Sequence, residues 1–161
     1  MRNRLWALLA LAAACSPAAD QQAAAPAAPD TAAVRAELQS LVDRYVQYLM
    51  AGDAAGVAGL YTDDATYAVY GVPTTTGRAN VEAVFAGYFG AFKVTSAQGT
   101  VEAAASPGPG IATARGIYTD VEDSSGVRIS SWSRWASAYR QAADGQWLIS
   151  YHIGFPDSTS R

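Results

Sequence analysis

This sequence contains very few residues of the types that build disulfide frameworks and metal clusters. Its 161 residues include one cysteine, Cys15, and one histidine, His152. A disulfide-stapled fold is therefore excluded, and so is a zinc site made of cysteine and histidine. We expect no metal and no cofactor.

Basic residues are also scarce. Eleven lysines and arginines stand against 14 aspartates and glutamates, which gives a formal net charge of −3. An acidic chain lacks the basic surface that neutralises nucleic-acid phosphates. We therefore predict no nucleic-acid partner.

A long apolar run lies at the N-terminus. Arg2 and Arg4 precede ten consecutive apolar residues, 5–14, which are too few to span a bilayer. This pattern predicts an export signal peptide over residues 1–14. The run ends in Ala-Ala-Ala-Cys and resembles the lipobox of bacterial lipoproteins, which makes Cys15 the predicted lipidation site.

The resemblance to lipoproteins implies an exported chain that Cys15 anchors to a membrane of a bacterial cell envelope, facing the periplasm or the cell surface. The alternative is a secreted protein cleaved after Ala-x-Ala, with an incidental cysteine. Residues 15–29 are rich in alanine and proline and are predicted to form a flexible tether. The folded domain is predicted over residues 30–161.

In that domain, helical spacing of apolar residues comes first and strand-like segments follow. The order predicts an α+β domain, in which helices cover one face of a mostly antiparallel sheet. Such a curved sheet, closed by helices, is expected to enclose a conical hollow, where small molecules usually bind. The predicted helices run from Asp30 or Thr31 to a stop at Gly52, over 54–60 and over 78–89, and the predicted strands are 65–70, 92–104, 111–121, 127–141 and 146–155.

Three segments resemble the NTF2-like superfamily, within its SnoaL-like and DUF4440-type members. They are GDAAGVAGLYTDDATY, TGRANVEAVFAGYF and DGQWLISYHIGF, residues 52–67, 76–89 and 144–155. The resemblance covers nearly all of residues 31–156. It implies a cone of three N-terminal helices packed on a strongly curved sheet, and a homodimer formed through the outer face of that sheet.

The same superfamily includes ketosteroid isomerases, which move protons beside a carbonyl with a tyrosine and two aspartates. With the chains aligned at the Gly-Asp pair 52–53, their tyrosine falls on Tyr45 and their general-base aspartate falls on Val69. Their second aspartate falls at about Ser137. A positioned base is typically worth about 10²–10⁴-fold in rate, so isomerase chemistry by that route is not expected. We expect a mostly apolar hollow without an acidic group.

Alternation along the last strand places His152 on one face with Ser150 and Gly154. The other face then receives Trp147, Ile149, Tyr151, Ile153 and Phe155. The isomerase-based register implies that the His152 face lines the hollow. The predicted pocket residues are Tyr45, Tyr67, Val69, Phe85, Phe89, Ser137, Ser150 and His152.

Tyr45 and His152 are the candidate catalytic residues. A tyrosine hydroxyl donates hydrogen bonds, and an imidazole that titrates near neutrality can act as an acid or a base. Both residues also fit ordinary core positions, because Tyr45 shares the apolar stripe of a helix and a lone histidine is commonly a hydrogen-bonded core residue.

Three functions stay open at this point. The first is a lipoprotein that binds a small apolar or carbonyl-bearing molecule in its cone, without established catalysis. The second is an enzyme that uses His152 and Tyr45 for proton transfer or hydration. The third is a structural or partner-binding envelope lipoprotein whose cone is filled by its own side chains.

Overall fold

The computed structural model describes residues 31–160, which form three helices and six strands. The predicted signal peptide, lipidation site and tether lie outside these residues. No helix among residues 31–160 combines the length and the apolar character that crossing a membrane requires. The helices are α1 (Thr31–Ala51), α2 (Ala54–Gly59) and α3 (Arg78–Ala91), and the strands are β1 (Tyr61–Val69), β2 (Thr75–Thr76), β3 (Lys93–Gly108), β4 (Ile111–Ser124), β5 (Val127–Gln141) and β6 (Trp147–Ser160).

The strands form one sheet in the order β2-β1-β6-β5-β4-β3. The pairs from β3 to β6 are antiparallel, whereas β1 runs parallel to β6. α1 packs chiefly on β3, and α3 packs on α2 and β1. The predicted α+β architecture, three N-terminal helices on a curved and mostly antiparallel sheet, is confirmed.

The helix boundaries follow from local chemistry. α1 ends where Gly52 adopts a positive φ of 66°, which glycine tolerates without strain. The next residue, Asp53, accepts a hydrogen bond of 2.8 Å from the backbone N–H of Gly56 and so caps α2. The chain therefore turns sharply between the first two helices and lays α2 beside α1.

Side chains of α1 cover the free edge of the sheet. Both Nε and Nη2 of Arg35 donate to the carbonyl of Val101 in β3, at 3.1 and 2.9 Å. The Gln39 amide accepts from the N–H of Val101 at 2.8 Å and donates to the carbonyl of Gly99 at 3.0 Å. Because β3 is an edge strand, these backbone groups have no strand partner on that side, and the side chains of α1 satisfy them instead.

β1 differs from its prediction. It begins at Tyr61 rather than at residue 65, so Asp63 and Asp64 lie within the strand. Both carboxylates are exposed and form ion pairs, with Arg78 and Arg140 respectively. The early start depends on pairing with β6, which local sequence does not reveal.

Candidate functional site

The side of the sheet that faces the helices, here called the concave side, carries alternate residues of each strand. Pairing sets Tyr67 of β1 opposite His152 of β6, and sets His152 opposite Ser137 of β5. Paired residues project to the same face, so these three predicted pocket residues form a row across the sheet. Tyr45 of α1 and Phe85 of α3 contact this row from the helix layer.

His152 lies at the centre of the row, among three aromatic rings. Its ring stacks on Tyr67 with 5.6 Å between ring centroids, and on Tyr45 and Trp135 with 6.4 Å each. Nδ1 lies 2.8 Å from Oγ of Ser137, and Nε2 makes no hydrogen bond within residues 31–160. Nε2 is thus free to donate or accept one bond, depending on which nitrogen carries the proton.

The surroundings of His152 change its titration from that of an exposed imidazole. Burial lowers the pKa of His152 to about 4, because the surrounding rings disfavour the charged imidazolium. The ring is therefore neutral at pH 7.

Three tyrosine hydroxyls gather at the same end of the concave side. Burial raises the pKa of Tyr67 to about 12. It also raises the pKa values of Tyr45 and Tyr61 well above the ordinary value for tyrosine. All three stay protonated at pH 7 and act as hydrogen-bond donors. Tyr61 is fully buried, and its hydroxyl has no partner among the described residues. Sequence reasoning missed Tyr61, which precedes the predicted start of its strand.

An aromatic wall from α3 closes this end. Phe85 is buried, and its ring lies 5.4 Å from that of Tyr67 and 6.0 Å from those of Tyr45 and Phe89. Residues three and four positions apart share one face of a helix, which is why Phe85, Tyr88 and Phe89 meet. Val69, across the site on β1, is half-buried against the same core.

An acidic pair also lies on the concave side, so the expectation of a hollow without an acidic group is wrong. Asp120 of β4 is 7% exposed and accepts a hydrogen bond from the hydroxyl of Ser131. Glu122, two residues on and therefore on the same face, accepts from the hydroxyl of Tyr88. Burial, followed by the contact with Glu122, raises the pKa of Asp120 to about 7.

The alternation along β4 indicates the face on which Asp120 lies. The buried residues of β4 alternate from Ala112 through Ala114 and Gly116, and the same alternation continues to Asp120. The strand was predicted to end at residue 121, one position before Glu122. Burial of a carboxylate depends on the neighbouring strand and on α3, and the sequence does not show either contact.

Ser150 does not sit as predicted. Tyr151 pairs with Ala138 while Ile149 pairs with Tyr139, so Ser150 is an extra residue in β6, a β-bulge. Its hydroxyl donates to the carbonyl of Ala138 at 3.1 Å. The bulge reverses the alternation before it, so Trp147 and Ile149 are buried, contrary to the prediction that they share a face with Tyr151.

Two of the openings that the described residues form have room for a ligand. One, of about 540 Å³, is a groove on the outer face of the sheet. The other, of about 390 Å³, lies between α1 and β3. Neither includes Tyr45 or His152. Aromatic rings occupy much of the concave side that was predicted to be hollow. Solvent still reaches this side at Tyr45, Phe89 and His152, which are half-buried.

No group of three or more histidine, cysteine, aspartate or glutamate side chains within residues 31–160 is arranged to hold a metal ion. The chemistry that the concave side offers is hydrogen bonding by neutral donors, and proton exchange at Asp120.

The SnoaL-like domain family matches residues 30–152 of this chain. No curated protein matches it. Its fold is similar to that of a ketosteroid isomerase-like protein from Erwinia carotovora atroseptica, with a TM-score of 0.70 and 18% identity over 77% of this chain and 96% of that chain. It is also similar to a type 2 hexachlorocyclohexane dehydrochlorinase, with a TM-score of 0.71 and 16% identity over 80% of this chain and 88% of the other.

A third similar structure is ActVI-ORFA from Streptomyces coelicolor. It has a TM-score of 0.67 and 20% identity, over 78% of this chain and 98% of that chain. At these identities the structures show a shared fold.

Proposed function

This chain belongs to the SnoaL-like domain family, and on that basis we propose that it binds a small, largely apolar molecule bearing a carbonyl group on its concave side. The observation that carries this proposal is the pairing of neutral donors with an aromatic wall. Tyr45 and His152 are half-buried and uncharged, and Phe85 and Phe89 face them from α3.

The donors suit a carbonyl oxygen. The raised pKa of Tyr45 keeps its hydroxyl protonated, and Nε2 of His152 has no partner within residues 31–160. The Tyr45 hydroxyl lies beside those of Tyr61 and Tyr67, and a cluster of buried donors is stabilised when a ligand brings a further acceptor. The buried hydroxyl of Tyr61, beside Tyr45, adds a second donor behind the first.

A simple ketone tests this proposal. We expect 4-acetylbiphenyl, which has one carbonyl and an apolar body, to bind wild type in a calorimetric or NMR titration. Tyr45→Phe removes one hydrogen bond and should weaken binding by about two- to tenfold, the range of roughly 0.5–1.5 kcal/mol for one bond. Tyr151→Phe, on the exposed outer face, is the matched control and should not change the affinity. Equal weakening by both variants, or no binding at all, would rule out this site.

One observation supports catalysis as a second candidate function. A carboxyl group whose pKa is raised to about 7 can give and take a proton near neutral pH, and Asp120 has this property. Two proteins of the same fold are named as an isomerase-like protein and a dehydrochlorinase. Exchange of the acetyl protons of 4-acetylbiphenyl in D₂O, followed by NMR, tests this candidate, which requires the ketone to bind with its acetyl group toward Asp120 rather than toward Tyr45. Exchange that is catalysed by wild type and lost in Asp120→Asn supports it, and equal rates exclude it.

Membrane anchoring is also part of the proposal, and it rests on the lipobox-like sequence that ends at Cys15. We expect the full chain, expressed in a bacterium, to enter the detergent phase on phase partitioning, and Cys15→Ser to stay in the aqueous phase. Identical partitioning of the two proteins would remove the lipid anchor and leave the secreted alternative.

We further propose that a second copy of the chain covers the outer face. The groove of about 540 Å³ there is lined mostly by small side chains, and Tyr151 and Phe155 are exposed on the same face. Light scattering on the purified domain should give a dimer mass, and Phe155→Ser should lower it toward the monomer. A monomeric wild type would contradict this part of the proposal.

A further inference from the structure

We propose that the groove between α1 and β3 binds a short, extended peptide segment without acidic side chains, which adds to the free edge of β3. This groove of about 390 Å³ has side chains of α1 on one side and residues 97–100 of β3 on the other. It includes neither Tyr45 nor His152, so the inference goes beyond the ligand proposed for the concave side. The direction of the backbone groups, the length of the groove and its charge carry the inference.

The edge of β3 alternates between residues whose backbone faces β4 and residues whose backbone faces α1. In an antiparallel strand the N–H and C=O of one residue point to the same side, and those of the next residue point to the other. Side chains of α1 bind the C=O of Gly99 and both backbone groups of Val101, so these two residues face α1. The register is unbroken from residue 96 to residue 101, so Ala97 faces α1 as well.

Three backbone groups therefore point into the groove without a partner. They are the N–H of Gly99 and the N–H and C=O of Ala97. Every hydrogen bond from α1 to β3 within residues 31–160 goes to the C=O of Gly99 or to Val101. Gly99 is buried and Ala97 is half-buried. Unpaired backbone groups in such positions favour a ligand that supplies one donor and two acceptors.

Gln39 shows which chemistry satisfies such groups. Its Nε2 donates to the C=O of Gly99 at 3.0 Å, and its Oε1 accepts from the N–H of Val101 at 2.8 Å. A residue of an added parallel strand makes the same two bonds, to a C=O and to the N–H two residues further on. One step earlier along β3 the same pattern joins the C=O of Ala97 and the N–H of Gly99. An extended peptide residue fits this pair of groups.

Both ends of the groove limit the length of the peptide. The register of β3 shifts between Val94 and Ser96, which marks a bulge at Thr95 and ends regular pairing there. At the other end Gln39 already occupies the C=O of Gly99. The strand between Ser96 and Gly99 spans roughly 10 Å, which gives room for about three residues of an added strand.

The groove carries one charge. Asp43 is the only charged residue among those that line it, and the amides of Gln47 and Gln98 are uncharged. One carboxylate oxygen of Asp43 accepts from Nε2 of Gln39 at 2.8 Å, and the other has no partner in the part of the chain that the structure describes. A basic side chain on the peptide is therefore preferred over an acidic one. The margin is small, because Asp43 is exposed and solvent screens its charge.

Amide-proton NMR on the full chain tests the backbone groups one by one. Before any peptide is added, the amide protons of Ala97 and Gly99 should exchange with solvent faster than those of Gln98 and Thr100, which face β4. Addition of acetyl-Ala-Ala-Ala-amide should shift the amide protons of Ala97 and Gly99 downfield and slow their exchange. The same peptide methylated on every nitrogen cannot donate to the C=O of Ala97. It should bind about two- to tenfold more weakly, as for the loss of one hydrogen bond.

Two charged peptides test the role of Asp43. Acetyl-Ala-Lys-Ala-amide should bind about two- to fivefold tighter than acetyl-Ala-Glu-Ala-amide, the range for one exposed ion pair. Asp43→Asn keeps an acceptor for Gln39 and should remove this difference. Glu82→Gln, which changes an exposed carboxylate of α3, is the matched control and should keep it.

Ala97→Pro blocks the groove at its backbone. The substitution removes one N–H and puts the proline ring in its place, and an edge strand tolerates proline where the N–H faces away from the sheet. The variant should fold, and acetyl-Ala-Ala-Ala-amide should no longer shift the amide proton of Gly99. If the variant does not fold, the exchange rates and the titration of wild type decide the question.

The outcomes also separate this proposal from the function of the concave side. Slow exchange at both Ala97 and Gly99 in the free protein would mean that this edge is already covered, and would overturn the proposal. Peptide binding that leaves both amide protons unmoved, or that is unchanged by methylation, would overturn it too. Equal binding of the lysine and glutamate peptides would remove the preference for charge. None of these results affects the binding of 4-acetylbiphenyl at Tyr45 and His152, which lie outside the groove.

Discussion

The two faces of this sheet are made by alternate residues of the same strands, yet they have different chemistry. On β4 and β5 the concave side carries Tyr118, Asp120 and Trp135, whereas the outer face carries Thr113 and Ala136. The concave residues stack, hydrogen-bond and shift one another's pKa values. The outer residues are small or exposed and leave a shallow groove.

This difference follows from the two-residue period of a strand. Each residue faces opposite to its neighbours, so one sequence can supply a reactive surface and an association surface at the same time. On the concave side polar groups are buried and must find partners, whereas on the outer face charges such as Arg134 and Asp157 pair where solvent screens them. Substitutions should therefore have unequal effects on the two faces.

The largest difference in stability should come from replacing one phenylalanine on each face. Phe85 is 4% exposed and touches four aromatic rings, so Phe85→Ala should lower the free energy of unfolding by about 3–5 kcal/mol. Phe155→Ala, on the outer face and 54% exposed, should change it by less than about 0.5 kcal/mol. Urea denaturation at low protein concentration, where a dimer contributes little, measures both. Similar losses for the two variants would contradict the assignment of the core to the concave side.

The next largest difference in stability should come from replacing one of two glycines with alanine. A Cβ at Gly116 would overlap the carbonyl oxygen of Thr100 and lie 2.7 Å from the ring of Trp135. Gly116→Ala should therefore destabilise the fold by about 1–3 kcal/mol. Gly108 has open space around the corresponding position, and Gly108→Ala is the matched control, with little loss. Thermal unfolding of both variants checks this, and an unaffected Gly116→Ala would show that β3 and β4 do not approach so closely.

The pH dependence of stability should separate the contributions of Asp120 and His152, both on the concave side. The pKa of Asp120, about 7, lies above its unfolded value near 3.9, so the native state holds an extra proton between pH 4 and 7 and loses stability as the pH rises. The pKa of His152, about 4, lies below its unfolded value near 6.5, so stability is gained as the pH rises through the same range.

These two contributions oppose each other in wild type, and single variants should reveal them. Asp120→Asn leaves the histidine effect, so its stability should rise from pH 4 to 6.5. His152→Gln leaves the aspartate effect, so its stability should fall from pH 4 to 7. Each slope is at most about 1.4 kcal/mol per pH unit. Denaturation midpoints measured at half-unit pH steps test this, and parallel profiles for the two variants would refute the opposed shifts.

Local sequence patterns predicted much of this fold. The three-and-four spacing around Leu38 and Leu41 placed α1, and Gly52 marked its end, because both features act within a few residues. Tyr45, Tyr67, Ser137 and His152, which were predicted to line one pocket, do lie together on the concave side.

The features that escaped prediction depend on contacts between distant segments. The early start of β1 requires its parallel partner β6, and the bulge at Ser150 requires the register of β5. Burial of Asp120 requires Ser131 and the helix that supplies Tyr88. Alternation along β4 pointed to the face that Asp120 occupies, but not to the partners that make burial of a carboxylate tolerable.

A smaller contrast concerns two hydroxyls, one on each face. Ser137→Ala removes the hydrogen bond to Nδ1 of His152 and should cost about 1 kcal/mol, whereas Thr113→Ala, on the exposed outer face, should cost almost nothing. A hydroxyl can donate to Nδ1 or accept from it, so loss of Ser137 removes a partner of Nδ1 in either tautomer. Nitrogen-15 NMR of His152 should therefore show a shifted Nδ1 resonance in Ser137→Ala and an unchanged one in Thr113→Ala. An Nδ1 resonance that stays in place without Ser137 would mean that this hydroxyl does not bond to His152.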